Sequence, residues 1–522
     1  MTDPTANASH GSNLAHLAGE AATTASGLTA GRRTLFGQPI GLATLFLTEM
    51  WERFTYYGMR AILILFLVAA VDKHGFAIDD KTANAIYGLY ISGTYLLSVF
   101  GGWIADRLTG AQRAVWWGGI LIFLGNTLLA VGAAGTPKLF FFGLVLIVFG
   151  VGLLKPNISA IVAQLYPEGG SRRDAGFSIF YMGINTGALL GSTIVPLLAG
   201  TQNWMLGFGA SAFFMLVGLV QFYYTRHWLL GAGNAPPVSQ ADAGKRRTAW
   251  TVVVVLTAIM VAVCVGAIAG IVQLDATMLL EGSFWAMVVF SLLYFAYLLF
   301  FAGLDGTERK RVIVMIALFL ACMMFWAGFE QTGASLNLFA ERYTDRVLFG
   351  WEVPAGTLQN INPFFIIVFS PIFAALWVKL GSRNLDPSAP AKFGMGLVFM
   401  AVGFVVMYFA AQYVVAGNRV LPTWLILTYM FHTWGELCLS PVGLSSMSKL
   451  VPNRFVGQAL GVWFLATAMG NNLAGQISAG FDSNNVAAMP GQFLYIVWWG
   501  LIGGAVMFAI TPVAKKLMGG VK

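Results

Sequence analysis

Fourteen apolar runs, each about twenty residues or longer, are separated by short polar connections and leave this chain little choice of fold. Crossing the hydrocarbon of a bilayer takes about 20 apolar residues, and inside it every backbone N–H and C=O must find a partner within the protein. Such runs read as transmembrane helices. They lie near 40–69, 84–105, 113–134, 138–164, 174–200 and 204–229, then 248–272 and 283–303, then 311–340, 357–380, 392–416, 421–450, 455–480 and 492–516. With 58% hydrophobic and 10% charged residues, the composition is that of an all-α polytopic membrane protein.

The runs group as six, two and six. Residues 1–35, rich in Ala, Thr, Ser and Gly, read as a disordered cytoplasmic tail, and 36–230 as a first six-helix bundle. Residues 231–306 read as a linker with two extra helices, and 307–522 as a second six-helix bundle. The linker opens with GAGNAPPVSQADAGKRR, whose Pro236, Pro237, Lys245, Arg246 and Arg247 mark a boundary. Two bundles around a linker suit a transporter, although no internal repeat relates the halves. With the N-terminus inside, Arg107, Arg113, Arg172, Arg173, Arg226, Arg309, Arg311, Lys379, Arg383, Lys392, Lys449, Arg454, Lys515, Lys516 and Lys522 face the cytoplasm. Only Lys73, Lys81, Lys138, Arg342, Arg346 and Arg419 face outward, so both termini are expected inside a bacterial cytoplasmic membrane. The net charge of +8 thus orients the chain and needs no nucleic-acid partner.

Cys264, Cys322 and Cys438 lie in apolar runs without metal or redox spacing, which argues against disulfides and zinc. No HExxH, GxSxG, dinucleotide or Walker motif is present, so neither an enzyme nor a cofactor is expected.

Charges at membrane depth cost from about 2.5 to more than 10 kcal/mol each at the bilayer centre, and normally face a bundle interior or a water-filled cavity. The first run holds EMWERFTYYGMR, residues 49–60. At about 100° per residue, Glu49, Glu52, Arg53, Tyr56 and Arg60 share a stripe of that helix. Lys155 sits in GVGLLKPNIS, where Pro156 is expected to bend the helix. FWAGFEQTGASLN places Trp326, Glu330, Gly333 and Asn337 on one face, with Glu330 able to pair with Arg60. HTWGELCLSPVGLSS sets His432, Glu436 and Ser440 at i, i+4 and i+8. Two readings are open: these charges pair to stabilise packing, or they line a polar track. Glu49, Glu52, Glu330 and Glu436 outnumber Arg53, Arg60 and Lys155, and the surplus carboxylate is a natural carrier for a transported proton.

Three motifs carry a resemblance to the proton-coupled oligopeptide transporter family of the major facilitator superfamily. ExxERFxYYG is present as Glu49, Glu52, Arg53, Phe54, Tyr56, Tyr57 and Gly58. GGWIADRLTG at 101–110 resembles the superfamily's loop motif between helices two and three, and FSIFYMGINTG at 177–187 the family's fifth-helix signature. The KPN, FWAGFEQ and ELCLSPVGL segments match family patterns as well. The resemblance spans roughly residues 36–515 and implies two six-helix bundles with a central site open alternately to either side.

By that resemblance, Arg53 and Lys155 would hold a peptide carboxylate, and Glu436 the amino group, with Asn185 and Asn362. Asn362 is chosen over Asn360 because the family places Asn before Pro. Tyr56, Tyr57, Tyr95, Trp326 and Trp463 would line side-chain pockets, with Ser440 joining the Glu436 face. Glu49, Glu52, Arg53, Lys155 and Glu330 would couple the proton, and the pairs Arg60–Glu330 and Lys155–Glu436 would act as gates. No histidine falls in 84–105, so the coupling route of animal members is not carried over. The function implied is proton-coupled import of di- and tripeptides, with the co-transported proton, lipid and peptide as partners and a monomer sufficient. The alternatives are transport of another small anion or zwitterion, such as nitrate or amino acids, and a peptide sensor without flux. Retention of both Lys155 and Glu436 favours peptide, since a zwitterion needs a pole at each end.

Overall fold

The computed structural model describes residues 34–35, 37–167, 170–200, 202–235, 243–452, 455–480 and 485–519. Residues 1–33 of the expected tail, Pro236 and Pro237 of the linker, Arg454 and Lys522 lie outside the described residues. A first group of helices comprises α1 (Gly41–Val68), α2 (Asp80–Ile104), α3 (Ala111–Ala133), α4 (Pro137–Gln164), α5 (Gly170–Ala199) and α6 (Trp204–Thr225). Two follow, α7 (Ala243–Ile268) and α8 (Ala276–Ala296). The second group is α9 (Gly306–Phe329), the short α10 (Ser335–Tyr343), α11 (Ile361–Ser382), α12 (Ala389–Val415), α13 (Thr423–Lys449), α14 (Val456–Ala479) and α15 (Met489–Met518).

Eleven spans among the described residues are long and apolar enough to cross a membrane. Helices α1, α13 and α14 are not among them, and polarity is the reason. They carry Glu49, Glu52, Arg53 and Arg60, then His432 and Glu436, then Asn471, Asn472 and Gln476. Their polar residues face protein rather than lipid: α1 is buried on nearly every side.

The first bundle is built by α1 on α5 and α6, α3 on α4 and α6, and α2 on α4; the second by α12 on α13 and α15, and α9 on α14 and α15. The bundles meet where α2 packs on α14 and α5 on α11. Small residues permit the closest approaches, as expected where no hydrophobic effect drives helices together. Gly183, Gly187 and Gly191, one turn apart on α5, face α1, and a Cβ on Gly187 or Gly191 would run into the carbonyl of Met50 or Phe54. Gly88 and Gly475 do the same for α2 and α14. Helix α8 packs against both α2 and α14, and its carbonyl Leu280 accepts from Asn472 Nδ2 at 3.1 Å. Helix α7 is apolar around most of its circumference and only 6% of its apolar window is buried, so it is left to lipid.

One face of the molecule gathers the first and last described segments: Tyr166 donates to Gln38 at 2.9 Å, Arg246 to the Leu108 carbonyl at 3.1 Å, and Arg311 to the Met518 carbonyl at 3.2 Å. We call it the terminal face, and its opposite the far face. On the far face Trp204 donates to the Lys73 carbonyl at 2.9 Å.

One local expectation is corrected. The run expected as one helix over 311–340 is broken after Phe329 by a 3-10 turn, Glu330–Gly333, before α10. Any Cβ on Gly333 would collide with the Tyr87 hydroxyl, so the turn exists where α2 presses on it. Helix α4 continues through Pro156 without a break in its helical backbone.

Candidate functional site

Between the bundles lies a cavity of about 1440 Å³ lined by both. The first bundle contributes Glu49, Arg53, Tyr57 and Arg60 from α1, Tyr95 from α2, Lys155 from α4 and Asn185 from α5. From the second come Trp326 and Glu330, Asn362 and Glu436.

Arg53 is anchored from behind. Its Nε lies 2.7 Å from Glu49 Oε1 and 2.7 Å from Glu52 Oε2, while its Nη2 has no hydrogen-bond partner among the described residues. The side chain borders the cavity, and this nitrogen is buried with its hydrogen-bonding capacity unused among the described residues. The Lys155 ammonium sits 3.3 Å from the Tyr95 ring centroid, a cation–π contact, and no carboxylate pairs with it among the described residues. Facing them, Glu436 Oε2 accepts from Asn362 Nδ2 at 3.1 Å, and the same nitrogen lies 3.0 Å from Thr433 Oγ1. Asn185 also lines the cavity, its Nδ2 donating to its own helix at Tyr181 O, 2.9 Å away. The site thus sets two cationic side chains on one wall and a carboxylate with an amide on the other.

The cavity is closed toward the far face. Arg60 Nη2 lies 2.6 Å from Glu330 Oε2, and Arg60 Nε donates to Tyr87 OH at 2.7 Å. Asn337 of α10 donates to the Ala61 carbonyl at 3.0 Å, and Arg342 grips Asp80 through both terminal nitrogens, at 2.7 and 2.8 Å. Toward the terminal face the lining continues past Phe100, Trp103, Asp106, Ala163 and Phe177. The cavity opens there.

Three residues expected at the ligand, Tyr56, Ser440 and Trp463, and one expected in proton coupling, Glu52, do not line the cavity. Glu52 is fully buried behind Arg53, and Tyr56 lies under α2 with its ring stacked on Tyr90, centroids 6.2 Å apart. The arc of α1 that lines the cavity runs through Glu49, Arg53, Tyr57 and Arg60, because α2 covers the other edge of the charged stripe. Trp463 points into the second bundle, against Phe393 at 6.2 Å and above Gly443. Ser440 is displaced by helix geometry: i+4 steps advance about 40° each, so His432 and Ser440 diverge by about 80° around Glu436. His432 faces Gly403 and Phe404 in the bundle core. The expected Lys155–Glu436 pair is not formed, since the opening toward the terminal face separates α4 from α13.

Sequence reasoning missed Tyr87, Thr332, Gln359 and Asp106. Gln359 and Asn360 adjoin Asn362 and were within reach of a polar-cluster search; Tyr87 had no signal short of the fold.

A model described as POT family matches residues 112–492. The chain belongs to the POT family. A peptide transporter of Yersinia enterocolitica is 39% identical over 506 residues, which is 94% of this POT-family chain and 97% of its relative. A di-/tripeptide transporter of Lactococcus lactis is 36% identical over 94% of this chain and 98% of its own. A crystal structure of peptide transporter POT in complex with sulfate matches with a TM-score of 0.85 at 39% identity, covering 94% of this chain and 98% of that one. A POT family transporter in complex with 5-aminolevulinic acid matches with a TM-score of 0.84 at 32% identity, covering 92% and 98%. The helix arrangement of the POT family, of major facilitator type, accounts for the two bundles and the cavity between them.

Proposed function

We propose that this protein imports di- and tripeptides together with protons across a bacterial cytoplasmic membrane, by alternating access, with both termini in the cytoplasm. The observation that carries this reading is the pair of opposed poles: Arg53, held at Nε by Glu49 and Glu52, with Lys155 on one wall, and Glu436 with Asn362 on the other. A zwitterionic peptide matches that polarity. An extended chain advances about 3.5 Å per residue, so two or three residues suit a cavity between bundles. The guanidinium fork suits a carboxylate, and aromatic walls at Tyr57, Tyr95 and Trp326 supply contact area without selecting one side chain. Names of the Yersinia and Lactococcus relatives support peptide as the substrate.

The terminal face is the cytoplasmic one in this reading, so the structure corresponds to an inward-open state with Arg60–Glu330 as the closed outer gate. Lys155 and Glu436 would approach one another as the inner side closes. Glu49, Glu52 and Glu330, each next to an arginine, are the proton-carrying candidates, and no metal or organic cofactor enters the reading. Inward movement of positive charge draws on the membrane potential at about 2.3 kcal/mol per charge per 100 mV. Both poles come from one chain, which supports a monomer as the working unit.

A second reading, transport of another small amine-bearing acid, draws support from the relative solved with 5-aminolevulinic acid, since that ligand presents the same two poles. Uptake of labelled dialanine into proteoliposomes, with an inward proton gradient and again after an ionophore, separates them. Gradient-dependent accumulation is the expected outcome. Binding without accumulation would point to a sensor, and no peptide uptake by folded protein would favour the other substrate class.

A further inference from the structure

The far-face closure contains a connection that no charge explains. Asn360 ends the 3-10 turn Ala355–Asn360 that leads into α11, and it reaches across to α5 of the other bundle. Its Nδ2 donates to Thr193 Oγ1 at 2.5 Å, and its Oδ1 lies against the hydroxyl of Ser192, whose single proton is shared between that oxygen and the Ala188 carbonyl, 2.6 Å away. Thr193 passes its own proton to the Leu189 carbonyl at 2.7 Å, so the hydroxyl is oriented to receive the amide. A primary amide offers one acceptor and two donors in a fixed plane, and two adjacent hydroxyls on one helix turn match that pattern. The turn itself is seated closely, since a Cβ on Gly356 would press on the Ala61 carbonyl and on Pro196.

The place of this contact gives it meaning. Asp80–Arg342 ties the far face on the α2 side, and Arg60–Glu330 ties its centre. Nothing ionic crosses between α5 and α11 among the described residues, and there Asn360 supplies the tie. Two positions further on, Asn362 lies in the cavity and bonds Glu436. One short stretch of backbone therefore holds both a cavity-wall amide and a bond between the bundles.

We propose that Asn360, with Ser192 and Thr193, is an uncharged latch that holds the far face shut on the α5–α11 side and links that closure to the position of Asn362. The proposal rests on the alternating-access reading above. When the far face opens, α5 and α11 must part and the amide must exchange both hydroxyls for water. Losing the latch therefore raises the population open to the far face and leaves the two poles of the cavity in place.

Double electron–electron resonance tests this on the full chain in liposomes, with Cys264, Cys322 and Cys438 replaced and spin labels on Lys73→Cys and Asn418→Cys. Both labelled positions are exposed on far-face connections of opposite bundles. Asn360→Ala, which removes both bonds, is expected to raise the long-distance population about tenfold, and Thr193→Val, which removes one, about threefold. Thr193→Ser keeps the hydroxyl and is expected to behave as the unmodified protein. Combining Asn360→Ala with Thr193→Val should add little to Asn360→Ala alone. If Glu330→Gln shifts the distances and neither latch variant does, the latch is wrong. If no variant and no peptide shifts them, the alternating-access reading fails instead. Thr193→Val also guards the test should Asn360→Ala fold poorly.

Discussion

Arg53 is the residue whose geometry says most. Two carboxylates share its Nε, so the side chain pays its rotamer entropy before a ligand arrives, and Nη2 is left without a partner. Arg53→Lys keeps the charge and loses the fork. Peptide affinity is expected to fall about tenfold to a hundredfold, the equivalent of a charged hydrogen bond worth about 1.5–3 kcal/mol, measured by calorimetry on purified protein. Trp463 makes the opposite case. Packed against Phe393, it is expected to act on stability alone: Trp463→Ala should cost about 3–5 kcal/mol, seen as a lowered Tm, with peptide affinity of the folded fraction unchanged. A fall in affinity at constant Tm would return Trp463 to the binding site.

At the scale of elements, helix contacts explain motifs that sequence alone registers only as signatures. The FSIFYMGINTG segment holds Gly183 and Gly187, and with Gly191 these let α5 lie against the backbone of α1, the helix that carries Arg53 and Arg60. Gly187→Val is expected to force α5 off α1, at about 1–3 kcal/mol or more, and to lower both Tm and uptake. An unchanged Tm would contradict the packing. The far end of α2 is capped by Asp79, whose carboxylate accepts from Thr82 N at 2.9 Å and is held below the usual aspartate range by that bond. A depressed pKa stabilises above the unfolded value and is lost as pH falls through the folded one. Asp79→Ala should therefore cost about 1 kcal/mol at neutral pH and converge with the unmodified protein as pH falls below the ordinary aspartate range, read from melting curves against pH.

At the scale of the whole molecule, the bundles touch through a few polar ties on the far face and are parted by the cavity toward the terminal face. Arg60 and Glu330 form the more buried of the ionic ties. Glu330→Gln leaves a buried guanidinium without its counter-charge, a loss of about 3–5 kcal/mol for such pairs, so the far face should open and proton-driven uptake should collapse. Spin-label distances across the far face and dialanine uptake check the two halves of that statement.

What the sequence by itself determined was the number and order of the membrane runs and the depth of Glu49, Arg53, Arg60, Lys155, Glu330 and Glu436. Both follow from one-dimensional quantities: the length of an apolar stretch and the cost of a charge within it. Helical periodicity also put Glu49, Arg53 and Arg60 on one side of α1. Tertiary structure alone decided which arc of that side meets the cavity, because the lie of α2 buries Tyr56 and leaves Tyr57 free. It also broke the run at 311–340 after Phe329, turned Trp463 inward, kept Lys155 apart from Glu436, and divided Asn360 from Asn362. Spacing along a helix sets angles within that helix, whereas the neighbour that covers an angle is chosen by packing between segments distant in the chain.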